Sequence, residues 1–565
     1  MTLTRTYRRA SVALAATVTL ASLLSACGST STDSGNAPSA SKNDIAATPR
    51  DQVADGGTLR WPIDDLPPNF NYNEIDGTYS SNFDIISAML PATFDADAAA
   101  NLTVNKNYFT SIELTSTSPQ TVTYTINPKA TWSDGKPLSV ADFQAQWKAL
   151  NGTDAKFQVS SSTGYEDIGS VSQGTDSRQA VVVFKKTFAD WKSLFNPIYP
   201  ASVNATPDSF NKSQTNGLTI SGGPFKFVGI DKTTQSITAA RDDSWWGDKA
   251  KLDKIVYRVL QPDAQIDALA NKEIDFIDIG PDVNKLQRAT NTAGVVVRRA
   301  AGPNFRHITI NGTGPILKEL AVRRAVAQGI DRQQIANAML TPLGVTPTTL
   351  DNHIFMTNQT GYQSNNAEIT YNPEVAKAAL DKAGWTQSGQ FRAKGGQELT
   401  VNLLIPTGVA TATQESSLIQ QQLKAIGVNV KITSRDQDFF DYITAGTFDM
   451  TMFTWLGTPF PISSSKSIYA NPEGDNIQQN YARIGSPLID KGFNDANSTL
   501  DPVKAIQIAN DTDKLIWQEV HSLTTYQRPD LKGCVVTLVN YGALGFASVK
   551  YQDVGFAKSA SPSSS

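Results

Sequence analysis

Residues 221–247 read SGGPFKFVGIDKTTQSITAARDDSWWG, and the punctuation of this stretch orders the rest of the chain around it. Gly222, Gly223 and Pro224 break any helix and let the backbone turn sharply into an extended run. Phe225 and Phe227 then share one face of a strand and Lys226 takes the other, because the side-chain period is two. The polar run 231–235 reads as a turn, and Ser236-Ile237-Thr238-Ala239 as the returning strand. Trp245 and Trp246, stopped by Gly247, put a large apolar area at the end of the hairpin. From physics alone this is a buried hairpin with no chemistry of its own.

The same reading recurs at 132–143, WSDGKPLSVADF. Asp134-Gly135 is a tight turn, and Ser139 with Asp142 caps a new helix whose Phe143, Trp147 and Leu150 share a face. Both segments, in this order, resemble the extracellular solute-binding proteins of ABC importers, family 5, which include the oligopeptide- and dipeptide-binding proteins. In that family a Gly-rich element ahead of Phe-Lys-Phe marks the return of the chain into the main lobe. Three further stretches resemble the family in sequence order. They are LDKIVYRVL with the helix after it (252–276), VRRAVAQGIDRQQIA (322–336) and YNP-x-x-A-K-x-x-L-x-x-AGW (371–385). Together the matches extend over roughly 57–555, nearly all of the chain beyond its first residues.

The 565 residues are too many for one core. The resemblance implies an α/β fold, periplasmic-binding-protein-like type II: two lobes joined by interlobe strands, plus an extra small α/β lobe. The boundaries expected are a lipoprotein signal peptide at 1–26, a flexible tether at 27–55 and the first part of lobe I at 56–101. Small lobe II follows at 102–217, the second part of lobe I at 218–305 and lobe III at 306–528. Lobe I returns at 529–558 and a disordered tail closes at 559–565. Within lobe III, 399–405, 411–426 and 428–432 read as strand, helix, strand, a parallel crossover. The strand around 303–311 reads as the crossing into that lobe, and the apolar run from Cys534 as the way back.

The address lies in the first residues. Arg5, Arg8 and Arg9 precede an apolar stretch too short to span a bilayer comfortably. It ends in Leu24-Ser25-Ala26-Cys27-Gly28, which resembles a lipobox and implies a lipid on Cys27. Losing three arginines takes the formal charge from −4 to −7. A mildly acidic protein is not a nucleic-acid binder by default, and no polybasic patch points to a membrane surface. With Cys27 committed, Cys534 has no partner for a disulfide and reads as a small buried hydrophobe. The partners implied are a peptide or other small solute, the permease subunits of the importer, and the membrane through the lipid; the receptor itself is expected as a monomer.

Catalytic motifs are missing from the sequence. Its three histidines, His307, His353 and His521, stand in no ligand spacing, and there is no Gly-x-Ser-x-Gly elbow or phosphate loop. No cofactor, metal site or enzymatic activity is expected. Five acidic residues between Asp267 and Asp282 alternate with apolar ones and read as the solvated edge of a strand.

Binding is where the resemblance is informative. Peptide binders of the family hold ligand between the large lobe and the last lobe, pairing its backbone with extended main chain. The corresponding segment here is Thr454-Trp455-Leu456-Gly457-Thr458-Pro459-Phe460-Pro461. Trp455 is either an aromatic wall or core, and 454–457 is the expected main-chain edge. The family's Asp that pairs with a peptide amino terminus falls at about Thr458, a neutral residue. Either Asp436 or Asp438 replaces it, or the terminus is blocked, bound differently or absent. Met89, Leu90, Asn304 and Phe305 are further wall candidates by position. An oligosaccharide is the alternative ligand, since stacking aromatics serve sugars equally well, and nickel is disfavoured by the scarcity of histidine.

Overall fold

Two long strands organise the architecture of the computed structural model, which describes residues 42–558 apart from 79, 437, 473 and 475. The expected signal segment, Cys27 and the tail from 559 lie outside the described residues. Strands Val295–Ile310 and Ser522–Val535 run antiparallel beside each other. The register shifts between Ala301 and Phe305, and again between Arg306 and His307, so the ladder is broken near its middle. On one side of that break Phe276–Asp278 adds to the edge. On the other, Met450–Leu456, Thr400–Pro406 and Asn429–Arg435 complete a six-stranded sheet. These crossing strands therefore belong to two lobes at once.

The first lobe carries a four-stranded sheet in the order Thr58–Ile63, Lys254–Val259, Ser236–Arg241, Phe225–Asp231. The hairpin is there as read: Phe225 pairs with Arg241 and Asp231 with Ser236, with a bulge between Phe227 and Gly229. Phe225 is fully buried, Phe227 half-buried and Lys226 exposed. Gly223 is required by close approach, since a Cβ there would stand 2.7 Å from the Ala88 carbonyl oxygen. A second four-stranded sheet, Phe109–Thr117, Gln120–Ile126, Gln179–Phe184, Ile168–Gln173, is covered by helix Val140–Leu150. Asp142 serves three groups: it accepts from the Ser139 amide (2.8 Å), the Ala201 amide (2.7 Å) and Trp132 Nε1 (3.3 Å). One continuous core runs beneath both sheets, from Trp61 and Phe225 to Tyr124 and Phe143.

The last lobe has its own core, where Ile308, Met450 and Leu403 of the sheet meet Val326, Leu380 and Ile419 of the helices. Strands Thr400–Pro406 and Asn429–Arg435 are parallel, joined by helix Ala410–Ala425. Cys534 is buried without a disulfide. No helix among the described residues is long and apolar enough to cross a membrane.

Four expectations change. The tether expected through residue 55 stops short of it: Asp44 bridges to Ala543, Val53 bridges to Ala557 and is fully buried, and Lys251 pairs with Asp55 at 2.8 Å. One valine in a polar run suffices when a strand edge accepts it, which composition cannot reveal. Phe83, Ile86 and Leu90 stand at helical spacing and predict one helix over 80–90, but the helix ends at Ile86, and Phe83 is 42% exposed while Ile86 and Leu90 are buried. Asp331 with Gln334 three residues later predicts a helix cap satisfied from both directions; the Gln334 amide does donate to Asp331 Oδ1 (2.9 Å), yet the Gln334 side chain accepts from Gln422 instead of reaching back. The acidic run is not a solvated edge throughout: Asp275 is buried against Arg60 at 3.0 Å, Glu273 pairs with Arg258, and Asp282 caps Val283–Asn291.

Candidate ligand cleft

Strand Met450–Leu456 has a neighbour on each side for most of its length. Leu403 faces Met450 and Leu404 faces Thr451, so Thr400–Pro406 ends level with Phe453. Beyond that point Thr454, Trp455 and Leu456 keep only their crossing-strand partners Arg306, Phe305 and Asn304. The Gly457 amide donates to the Pro303 carbonyl and the Asn311 amide to Asp449, each at 2.8 Å. Antiparallel alternation then directs the backbone groups of 453, 455 and 457 at the crossing strand, and those of Thr454 and Leu456 away from it. The edge expected at 454–457 is thus narrowed to two residues, and Gly457 is already engaged. A Cβ at Gly457 would stand 2.2 Å from the Pro303 oxygen, so only glycine allows this approach.

This edge lies where the three parallel strands end, the position at which open α/β sheets hold ligands. Asp436 and Asp438 follow directly on Asn429–Arg435 and are exposed on the same rim. Asp436 is level with Thr454 and two strand spacings away, about 10 Å along the sheet.

Trp455 is half-buried in an aromatic stack. Its ring lies parallel to His307 (5.6 Å, 17°) and to Tyr481 (5.9 Å, 4°), with Phe453 edge-on at 4.9 Å. Burial, helped by the Arg306 charge, holds the His307 pKa well below its ordinary value, so the ring behind Trp455 is neutral. Phe440 meets Phe453 at 5.7 Å and is 53% exposed; Leu456 is 71% exposed. Sequence reading missed Tyr481 and Phe440. Tyr481 sits in a turn-rich segment with no periodicity to flag it.

The remaining candidates separate. Thr458 turns the chain into helix Pro461–Tyr469: its hydroxyl accepts from the Phe460 amide (3.1 Å) and meets Ser464 Oγ (3.2 Å), and its carbonyl accepts from Gln359 (2.9 Å). Phe305 is buried with Leu350, Met356 and Phe546. Asn304 is half-buried opposite Leu456. Met89 has no exposed surface, and its carbonyl accepts the Gly222 amide at 2.8 Å, so it is a brace for the hairpin rather than a wall. Leu90 lines a cavity of ≈ 410 Å³ with Asp84, Tyr108, Pro303, Gly457 and Phe460, where all three lobes meet. A larger hollow of ≈ 1100 Å³ lies on the first lobe beside Lys254 and Val536 and shares none of these residues. The interlobe cavity is the candidate site because it alone of the two reaches Gly457, the residue that follows the open edge.

Charge is concentrated where the crossing strands pass between lobes. Lys532 pairs with Asp278 at 3.3 Å and Asp530 at 3.9 Å. Burial opposes ionisation of Asp278, but Lys532 and Arg528 prevail and hold its pKa below the usual carboxylate range. Asp84 is half-buried in the wall of the interlobe cavity. Burial pushes its pKa up to about 6, against the pull of Lys532 and with Asp278 and Asp64 adding to the rise.

Lobes strapped together by a shared sheet, with a cleft at the strand ends, define the periplasmic-binding-protein-like type II receptors. The fold superposes on the periplasmic EDTA-binding protein EppA with a TM-score of 0.84 at 23% identity, covering 93% of this chain and 100% of that one. It superposes on the oligopeptide-binding protein AppA from Bacillus subtilis, solved with a nonapeptide, with a TM-score of 0.71 at 18% identity, covering 90% and 100%. In sequence it is 41% identical over 557 residues to the oligopeptide-binding protein OppA of Mycobacterium tuberculosis, covering 96% of this chain and 93% of that protein. The profile of bacterial extracellular solute-binding proteins, family 5 Middle, matches residues 103–476. The chain belongs to that family of extracellular solute-binding proteins.

Proposed function

We propose that this protein is the receptor of an ABC importer, held at the membrane by a lipid on Cys27, and that it takes oligopeptides into the interlobe cleft for delivery to the permease. The observation that carries the reading is the open main-chain edge at Thr454 and Leu456 beside Trp455. An extended peptide satisfies such an edge as an added strand, with main-chain hydrogen bonds supplying affinity irrespective of side chains. The oligopeptide-binding relative and the nonapeptide complex of a protein sharing the fold support the same assignment. Closure follows by bending at the broken register of the crossing strands. With Thr458 turned into its own helix, the amino terminus of a peptide falls to Asp436 or Asp438 on the rim, or is left without a carboxylate.

The test is native mass spectrometry of freshly purified protein, followed by thermal shift with a mixed peptide pool and with an oligosaccharide mixture. Peptides are expected to co-purify and to raise the melting temperature saturably. Trp455→Ala is expected to weaken peptide binding by roughly tenfold, the scale of one lost aromatic contact. Stabilisation by the oligosaccharides alone would replace the peptide reading with the other.

A further inference from the structure

Four arginines lie on the two crossing strands, and three are engaged. Arg298 donates to the Leu538 carbonyl (2.8 Å) and faces Asp44 at 3.6 Å. Arg299 donates to the Leu343 carbonyl (2.6 Å). Arg306 is paired with Glu415. Arg528 is different. Among the described residues its one hydrogen bond is a long one, 3.4 Å from Nη1 to Thr454 Oγ1, and no carboxylate lies within 4.0 Å of it. A guanidinium has five N–H donors, so most of this one's capacity is unused.

Its position is as telling as its lack of partners. Thr454 belongs to the last lobe. A Cβ built on Gly280, just past the first-lobe strand Phe276–Asp278, would stand 3.3 Å from Arg528 Nη2. The guanidinium therefore lies between the two lobes, half-buried, at the floor of the hinge. The neighbouring charges already have contact counter-ions: Glu415 for Arg306, and Asp278 with Asp530 for Lys532. Burial lowers the Arg528 pKa from its ordinary value. Thr454, its hydrogen-bond partner, is also one of the two residues whose backbone groups face the open edge.

We infer that Arg528, which stands beside the open edge at Thr454 and outside the lining of the ≈ 410 Å³ cavity, receives a carboxylate of the bound solute on the guanidinium edge that Thr454 leaves free. The inference rests on the peptide reading and adds the chemistry of one end of the ligand. A carboxylate matches the planar fork of arginine two N–H groups at a time, and its charge offsets the cost of half-burying the cation. A peptide supplies one either at its carboxyl terminus or on an acidic side chain.

Titration calorimetry on wild type, Arg528→Gln and Arg528→Lys separates these cases. One peptide pair has identical sequence with a free or an amidated carboxyl terminus; a second pair, amidated throughout, differs by Glu against Gln. Wild type is expected to prefer the carboxylate form of one pair by roughly ten- to a hundredfold. Arg528→Gln is expected to erase that preference while keeping the affinity for the amidated Gln peptide, which also shows the variant is folded. Arg528→Lys should keep part of it. Preference in the first pair assigns the terminus, and in the second the side chain; either supports the inference. Equal binding of both forms in both pairs by wild type, or a preference that survives Arg528→Gln, overturns it and leaves the peptide reading standing. Binding of none of the four peptides removes both.

Discussion

Glu415 ties both crossing strands to one helix, and removing it is the sharpest test of how the lobes are held. Its carboxylate accepts from Arg306 Nε (3.2 Å) and Nη2 on one strand and from the Tyr526 hydroxyl (2.7 Å) on the other. The Arg306 and Glu415 side chains are 9% and 3% exposed. Glu415→Ala leaves a guanidinium buried without a counter-charge and a phenol without an acceptor. Breaking a buried pair from one side costs about 3–5 kcal/mol. The comparison variant is Asp267→Ala, whose partner Arg288 is 50% exposed; that loss is at most about 1 kcal/mol. If the loss at Glu415 comes from the stranded charge, deleting both charges restores most of it. Arg306→Met with Glu415→Leu is therefore expected to lie within about 1–2 kcal/mol of wild type, the residue being the unpaired Tyr526 hydroxyl. Urea unfolding followed by tryptophan fluorescence gives the midpoint and slope for each variant, and a changed slope would report that the lobes no longer melt together. A single-variant loss below about 1 kcal/mol, or a double variant no better than the single one, would refute the reasoning.

Asp84 has a folded-state pKa raised to about 6, so the folded protein holds that proton more tightly than the unfolded chain does. Stability associated with the neutral carboxyl is present below the ordinary carboxylate range and is lost as pH rises through about 6. Asp84→Asn should therefore gain about 1–2 kcal/mol at pH 7.5, discounted for the surface Asp84 keeps, and clearly less at pH 4.5; an equal gain at both pH values contradicts the assignment. Gly223→Ala drives a Cβ to 2.7 Å from the Ala88 carbonyl and is expected to cost about 1–3 kcal/mol in the same urea assay. Gly229→Ala, with no atom within 4 Å of its Cβ, should stay within about 0.5 kcal/mol, and equal losses at the two glycines would remove the close-approach explanation.

What the amino-acid order determined by itself was the fold and its punctuation. The hairpin at 225–241, the Asp142 cap, the Asp331 cap and the strand-helix-strand unit of the last lobe are all written in local signals: a period of two, a capping carboxylate, a glycine at a turn. Such signals act over a few residues and can be read one at a time. The cleft was legible only as an address, the segment from Thr454 to Thr458. Its substance depended on pairings between distant stretches: that Thr400–Pro406 stops level with Phe453, so that two backbone residues keep a free edge; that Tyr481 comes to lie flat on Trp455; that Met89 is covered by Gly222. Whether an arginine has a counter-ion belongs to the same class. Arg306 and Arg528 look alike in the sequence, and only the approach of helix Ala410–Ala425 neutralises the first and leaves the second facing the hinge. Local propensity specifies the pieces, while register and charge balance arise from contacts between pieces, and those exist only once the chain has folded.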